Sequence, residues 1–133
     1  MPIISICTET KNITKYPIGP YIIDSAFPKY RSDKEEEYAI LCEMLIDDWL
    51  QVRTLNTQYE PAIWLLPGGL KYKPDFMHIL EDRRILFVEV KNSKKQKGYR
   101  VTRNKLVTAT ALYPYFMWAE CIADRAWKYE VIG

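Results

Sequence analysis

The sequence predicts an α/β domain, with a mixed central β-sheet flanked by helices. Three observations predict it. Residues 33–51 carry apolar side chains at helical spacing. Short apolar runs with strand character fill 62–91. A second helical segment and further strands follow residue 100. The expected order is helix, three strands, helix, strand and a last short strand.

A chain of 133 residues is expected to form a single domain, 1–133. It divides into an irregular N-terminal arm at 1–31, a core at 32–120 and a C-terminal strand and tail at 121–133. Pro2, Pro17, Pro20 and Pro28 break up the arm, leaving short β-like pieces at 3–7 and 21–23. The first helix follows. Ser32 is its predicted N-cap, Glu35 completes a capping-box pattern, and acidic residues crowd the first turn. Its apolar face is Tyr38, Leu41, Cys42, Leu45 and Trp49.

Ala62–Leu66 reads as a strand, and Gly68-Gly69 as a turn. Residues 71–79 and 84–91 read as two strands joined at Glu81-Asp82-Arg83. A basic loop spans 92–100, and a second helix runs from about 101 to 112, ended by Pro114. "YFMWAECIA" and "AWKYEVI" read as the last strands.

Composition sets bounds. With 48% apolar and 27% charged residues, the chain is globular rather than disordered. A net charge of +2 says nothing about nucleic acid. The local density does: Lys91, Lys94, Lys95, Lys97, Arg100, Arg103 and Lys105 fall within fifteen residues. Such clusters bind phosphate backbones, and they also decorate solvated loops. Cys7, Cys42 and Cys121 are widely spaced, which argues against a zinc ribbon or a disulfide framework. The N-terminus lacks the basic region of a signal peptide, and no apolar run approaches the ~18 residues of a membrane span. The expectation is a cytoplasmic protein with no membrane association.

The chemistry concentrates in "KYKPDFMHILEDRRILFVEVKN", residues 71–92. A three-residue turn at 81–83 pairs positions that sum to 164, which sets Asp75 opposite Glu89. Glu89 and Lys91 are two apart, so they share a face, and so do Ile85 and Phe87. Two carboxylates this close repel, and a divalent cation relieves them. Mg²⁺ prefers such oxygens, with Mn²⁺ a substitute, and keeps positions open for water and phosphate. Lys91 would orient water or stabilise phosphoryl charge. The competing reading is a wet hairpin face with an ordinary ion pair. The shared apolar neighbours argue against a simply wet face.

Pro74-Asp75, followed by Glu89-Val90-Lys91 at the end of "ILFVEVKN", resembles the PD-(D/E)xK motif of the restriction-endonuclease-like nucleases. The element order resembles that superfamily's α-β-β-β-α-β core. "YKPDF", "VEVK" and a helix ending in Tyr-Pro are similar to small phage endonucleases, including the Holliday-junction resolvase type. The resemblance covers about residues 32–120. It implies a metal site of Asp75, Glu89 and the Val90 carbonyl, with Lys91 as the catalytic lysine. It also implies an acidic residue on the first helix. Glu35, Glu36 and Glu37 compete for that role. Helical phase favours Glu35, which adjoins the sector of Tyr38, Cys42, Leu45 and Trp49, although its capping-box role is a rival explanation.

Lys94, Lys95, Lys97, Arg100 and Arg103 then read as backbone contacts to DNA. Lys105 either joins them or snorkels from the helix edge. His78, three residues past Asp75, falls on the other face and reads as packing.

The resemblance thus implies a Mg²⁺-dependent endodeoxyribonuclease in phage- or bacterium-type DNA processing. Junctions, flaps, single strands and ordinary duplex all stay open as its substrate, junctions or flaps being the structure-selective option, and a homodimer or a larger nucleoprotein complex is its expected assembly. The alternatives are a non-catalytic subunit of the same fold that holds DNA or protein, and an RNA nuclease.

Overall fold

A computed structural model describes residues 29–133. The arm through residue 28, with its β-like pieces at 3–7 and 21–23 and with Cys7, lies outside the described residues. Those described form two α-helices and seven strands. The chain order is α1 (Asp33–Leu50), β1 (Thr54–Tyr59), β2 (Trp64–Leu66), β3 (Leu70–Tyr72), β4 (Phe76–Leu80) and β5 (Ile85–Lys91). Then come α2 (Tyr99–Leu112), β6 (Met117–Asp124) and β7 (Ala126–Val131). The expected mixed α/β architecture is present. A five-stranded sheet runs β1-β4-β5-β6-β7, and β2-β3 forms a separate two-stranded ladder. The β5–β6 pair is parallel and the other pairs are antiparallel. Helix α2 makes the crossover that a parallel pair requires. Among the described residues, no helix is long and apolar enough to cross a membrane.

Helix α1 starts as read. Ser32 is extended, and its hydroxyl accepts the Glu35 N–H at 3.2 Å. The buried stripe is Tyr38, Cys42 and Ile46, with Leu45 and Trp49 packed at its border. Ile46 is an addition to the predicted face. Helix α2 begins two residues earlier than read, because Gly98 at φ 80° supplies the left-handed entry to it.

Three strand assignments change. Thr54–Tyr59 was not read as a strand. It is an edge strand with one fully buried residue, Thr54, so "TLNTQY" lacks the apolar alternation that marks strands. The segment read as strand 62–66 shortens to β2 and leaves the central sheet, because Gly68 and Gly69 at φ 77° and 74° fold it back onto β3. The segment read as one strand, 71–79, is two, broken at Lys73-Pro74-Asp75. Proline has no N–H to give a ladder. The last two strands are where they were expected: β6 runs to Asp124, and β7 pairs along it in the main sheet.

The hairpin register is the one predicted. Phe76 pairs with Val88, Met77 with Phe87, His78 with Leu86 and Ile79 with Ile85, each pair summing to 164. Arg83 at φ 75° completes the three-residue turn, with Leu80 N–H donating to the Arg84 carbonyl at 2.9 Å.

Both faces of the sheet are covered. Leu86, Val88 and Val90 pack with Tyr38, Cys42 and Ile46 beneath α1. Phe87 and Trp118 stack at 4.6 Å on the other face, with Trp64, Leu106 and Tyr113 around them. That is why β5 reads as a nearly continuous apolar run. Cys42 and Cys121 are free and buried.

His78 lies on the α1 face as read, fully buried. Tyr38 Oη and Thr57 Oγ1 lie 2.8 Å from its two ring nitrogens. Burial lowers its pKa to about 3. The unfolded imidazole titrates near 6.5, so below that pH the unfolded chain binds a proton that the folded chain refuses. The stability this confers is full above pH 6.5 and is lost as pH falls toward about 3. Between pH 7 and pH 5 the loss should be about 2 kcal/mol. Urea unfolding of wild type and His78→Gln at both pH values tests this. The variant should lack that loss, and parallel pH profiles would refute it.

Candidate active site

The site forms where β4 and β5 stop pairing. The ladder ends at Phe76 and Val88, while β5 continues to Lys91 against β6 alone. Asp75 lies one step beyond the last pair. Its Oδ2 accepts the Val90 N–H at 2.8 Å, in place of a ladder bond. Its carbonyl accepts the Glu60 N–H from the end of β1 at 2.7 Å. Asp75 is therefore gripped from both neighbouring strands.

Glu89 and Lys91 follow the strand alternation onto the α2 face. Lys91 Nζ is 3.4 Å from Glu89 Oε2. The other oxygen, Oε1, accepts the Tyr72 hydroxyl at 2.8 Å. Asp75, Glu89 and Lys91 are 3%, 5% and 7% exposed, which rules out a wet hairpin face. Tyr72 was not anticipated. It arrives from β3, as the first residue of "YKPDF", and the strand break at Lys73-Pro74 is what turns it toward Glu89.

Glu35 lines the same cavity as Asp75, Glu89, Val90 and Lys91, a space of about 240 Å³. The capping-box alternative can be settled in part. Ser32 caps the Glu35 N–H, but the Glu35 carboxylate accepts the Tyr59 hydroxyl across from β1. Among the described residues, no three His, Cys, Asp or Glu side chains are close enough together to enclose a metal. Asp75 and Glu89 form the close pair, and Glu35 stands at the cavity wall. A strand residue points its N–H and C=O to the same side. Val90 donates its N–H to Asp75, so its carbonyl faces that side too.

The electrostatics are unfavourable to two bare carboxylates. Burial, then the Glu89 charge, holds Asp75 well above the ordinary carboxylate range. Burial also raises Glu89, against the pull of Lys91. Hard oxygens that are buried, adjacent and reluctant to ionise suit a divalent cation. Larger hollows exist, such as one of about 650 Å³ lined by Arg83, Tyr115 and Val131. They contain no such carboxylate pair, so chemistry rather than size selects the site.

The basic residues divide. Arg103 Nη1 lies 2.5 Å from Glu120 Oε1 and 3.0 Å from Glu130 Oε1. Lys94 pairs with Glu130 at 3.2 Å. Both therefore have partners within the fold. Lys95, Lys97 and Arg100 are exposed and Lys105 half-buried, without an ion pair among the described residues. Glu120, also unanticipated, is fully buried and accepts the Tyr99 hydroxyl at 2.8 Å. Cross-strand pairing sets Glu89 beside Glu120 and Glu120 beside Glu130. One acidic row thus crosses β5, β6 and β7, with Asp75 at its end.

Comparison of the chain with known protein families, curated proteins and solved structures finds no match.

Asp75→Asn keeps an oxygen for the Val90 N–H and removes the repulsion. The raised pKa of Asp75 means that the wild type loses stability as pH rises above the unfolded value near 3.8. In EDTA at pH 8 the variant should therefore melt higher, by on the order of 1 kcal/mol or a few degrees. The gain should shrink toward pH 5. A variant that melts lower than wild type at pH 8 would contradict this account.

Proposed function

We propose that the chain is a metal-dependent endonuclease that hydrolyses DNA phosphodiester bonds, with a restriction-endonuclease-like PD-(D/E)xK core. The observation that carries this reading is the convergence of Asp75, Glu89 and Lys91 in one buried cavity, with Asp75 locked onto Val90. The order α1, β1, β4, β5, α2, β6 supports the same reading, with β2–β3 as an insertion.

Asp75, Glu89 and the Val90 carbonyl would hold Mg²⁺ or Mn²⁺, with Glu35 at the cavity wall reaching the ion through a bound water. When bound, such an ion neutralises the carboxylates and polarises the phosphodiester. Tyr72 fixes the rotamer of Glu89 by donating to Oε1, which leaves Oε2 for Lys91 and the cavity. Lys91 keeps its ammonium beside that oxygen and orients the attacking water. Water adds to phosphorus in line with the leaving 3′ oxygen, the P–O3′ bond breaks, and the 3′ oxygen takes up a proton. Within the run at 91–105, the exposed Lys95, Lys97 and Arg100 and the half-buried Lys105 would hold the DNA backbone without reading bases.

Two measurements test the proposal. A panel of junction, flap, single-stranded and duplex DNA should show cleavage with Mg²⁺ and none with EDTA. Asp75→Ala and Lys91→Ala should reduce it by at least about 10²-fold while remaining folded. Full activity in either variant would end the assignment. Mn²⁺ or Mg²⁺ should also raise Tm, by up to about 2.7 kcal/mol of stability at a hundredfold excess over Kd. Glu89→Gln should lose that response, and an equal response in the variant would place the metal elsewhere.

A further inference from the structure

Beside the carboxylates, on the α1 and β1 side, stands a group of cations that the run at 91–105 does not include. Glu60 organises it. It ends β1 in a left-handed conformation, φ 47°, with its N–H on the Asp75 carbonyl. Its carboxylate holds two cations: Arg31 Nε at 2.9 Å from Oε2, and Lys73 Nζ at 3.4 Å from Oε1. The Arg31 contact is a close ion pair without hydrogen-bond alignment. Arg31 also places Nη2 at 3.8 Å from Asp75 Oδ1. Its main-chain N–H donates to Tyr59 Oη, the same hydroxyl that donates to Glu35. Arg31 is thus fixed at its backbone and at its guanidinium, on the wall of the cavity.

Two cations on one carboxylate leave an excess positive charge. Folding does not require it, since exposed ion pairs contribute about 0–1 kcal/mol. The Arg31 side chain is 61% exposed and Lys73 39%, so both stay open to a ligand. A guanidinium held at Nε still offers its outer donors, and their fork matches a phosphate. Once a divalent cation takes up the Asp75 charge, the 3.8 Å attraction disappears and the Glu60 anchor remains. Asn92, Gln96 and Thr102, from the end of β5 to the first turn of α2, line the same cavity and adjoin the exposed Lys95, Lys97 and Arg100 in the chain.

We infer that Arg31 and Lys73, seated on Glu60, form a second phosphate-binding bank, so that the nucleic-acid strand lies across the carboxylates and is gripped on both sides. This rests on the nuclease reading for its ligand, a phosphodiester backbone.

The test measures binding rather than cleavage. Fluorescence anisotropy of labelled duplex and single-stranded DNA is recorded with Ca²⁺ in place of Mg²⁺, so that a divalent cation takes up the Asp75 charge, between about 50 and 200 mM salt. Arg31→Ala and Lys73→Ala should each weaken binding several-fold, and each should lower the slope of log K against log salt by about 0.9 for duplex and about 0.7 for single-stranded DNA. Arg31→Lys should keep the slope, which separates lost charge from lost structure, and melting curves check that each variant folds. Unchanged affinity and slope in the Arg31→Ala/Lys73→Ala double variant, with Lys97→Ala weakened, would overturn the second bank and leave the nuclease reading intact. If the wild type binds no DNA, the nuclease reading falls and the bank falls with it.

Discussion

The hydrogen bond from Val90 N–H to Asp75 Oδ2 is the contact on which the rest of the site depends. A side-chain oxygen completes a ladder that Pro74 has interrupted. That substitution lets β4 end and β5 run on. It holds Asp75 across from Glu89 and turns the Val90 carbonyl to the same side. The break before Asp75 also frees β3 to fold onto β2 and carry Tyr72 to Glu89. The Glu60 N–H on the Asp75 carbonyl fastens the other side. One irregular residue thus joins three strands at the point where the charges meet.

Charge burial at that point is compensated in pairs along the sheet. Glu89 has Lys91 and Tyr72, while Glu120 has Arg103 and Tyr99. Glu130 has Lys94 and a share of Arg103. Asp75 is the exception. Its nearest cation is Arg31, at 3.8 Å, and burial and Glu89 both push its pKa upward. Asp75 is thus the member of the acidic row without a cation closer than 3.8 Å, which supports the metal site proposed above. A fold that needed only stability would do better with neutral side chains there.

The two apolar layers set the precision of this arrangement. Tyr38 reaches His78 and Tyr129 at once, tying α1 to the inner strand β4 and to the edge strand β7. Trp49 stacks on Tyr129 at 4.4 Å. On the other face, Trp64, Phe87 and Trp118 wedge the small ladder against the sheet, so Tyr72 cannot drift from Glu89. The polar groups sit at the border of these clusters, where packing holds them and the cavity reaches them.

Local physics determined a good deal from the amino-acid order alone. The three-residue turn at 81–83 determined the register, because turn length fixes which residues face one another and a one-residue slip would turn every side chain to the other face. The same alternation put Glu89 and Lys91 on one face, and helical phase turned Glu35 toward the sheet. Tertiary structure alone decided the remainder. Edge strand β1 was invisible because only one of its side chains is fully buried. Glu60 and Glu120 reach the site or its border through pairings of strands far apart in the chain, and no spacing rule marks them; Tyr72 stands in "YKPDF", but only the fold of β3 onto β2 shows that it meets Glu89. Arg103 sits within a basic run and reads as a ligand contact, yet packing commits it to Glu120 and Glu130. A sequence records which charges are near in the chain. Which of them neutralise one another is decided by the distances that the folded sheet imposes.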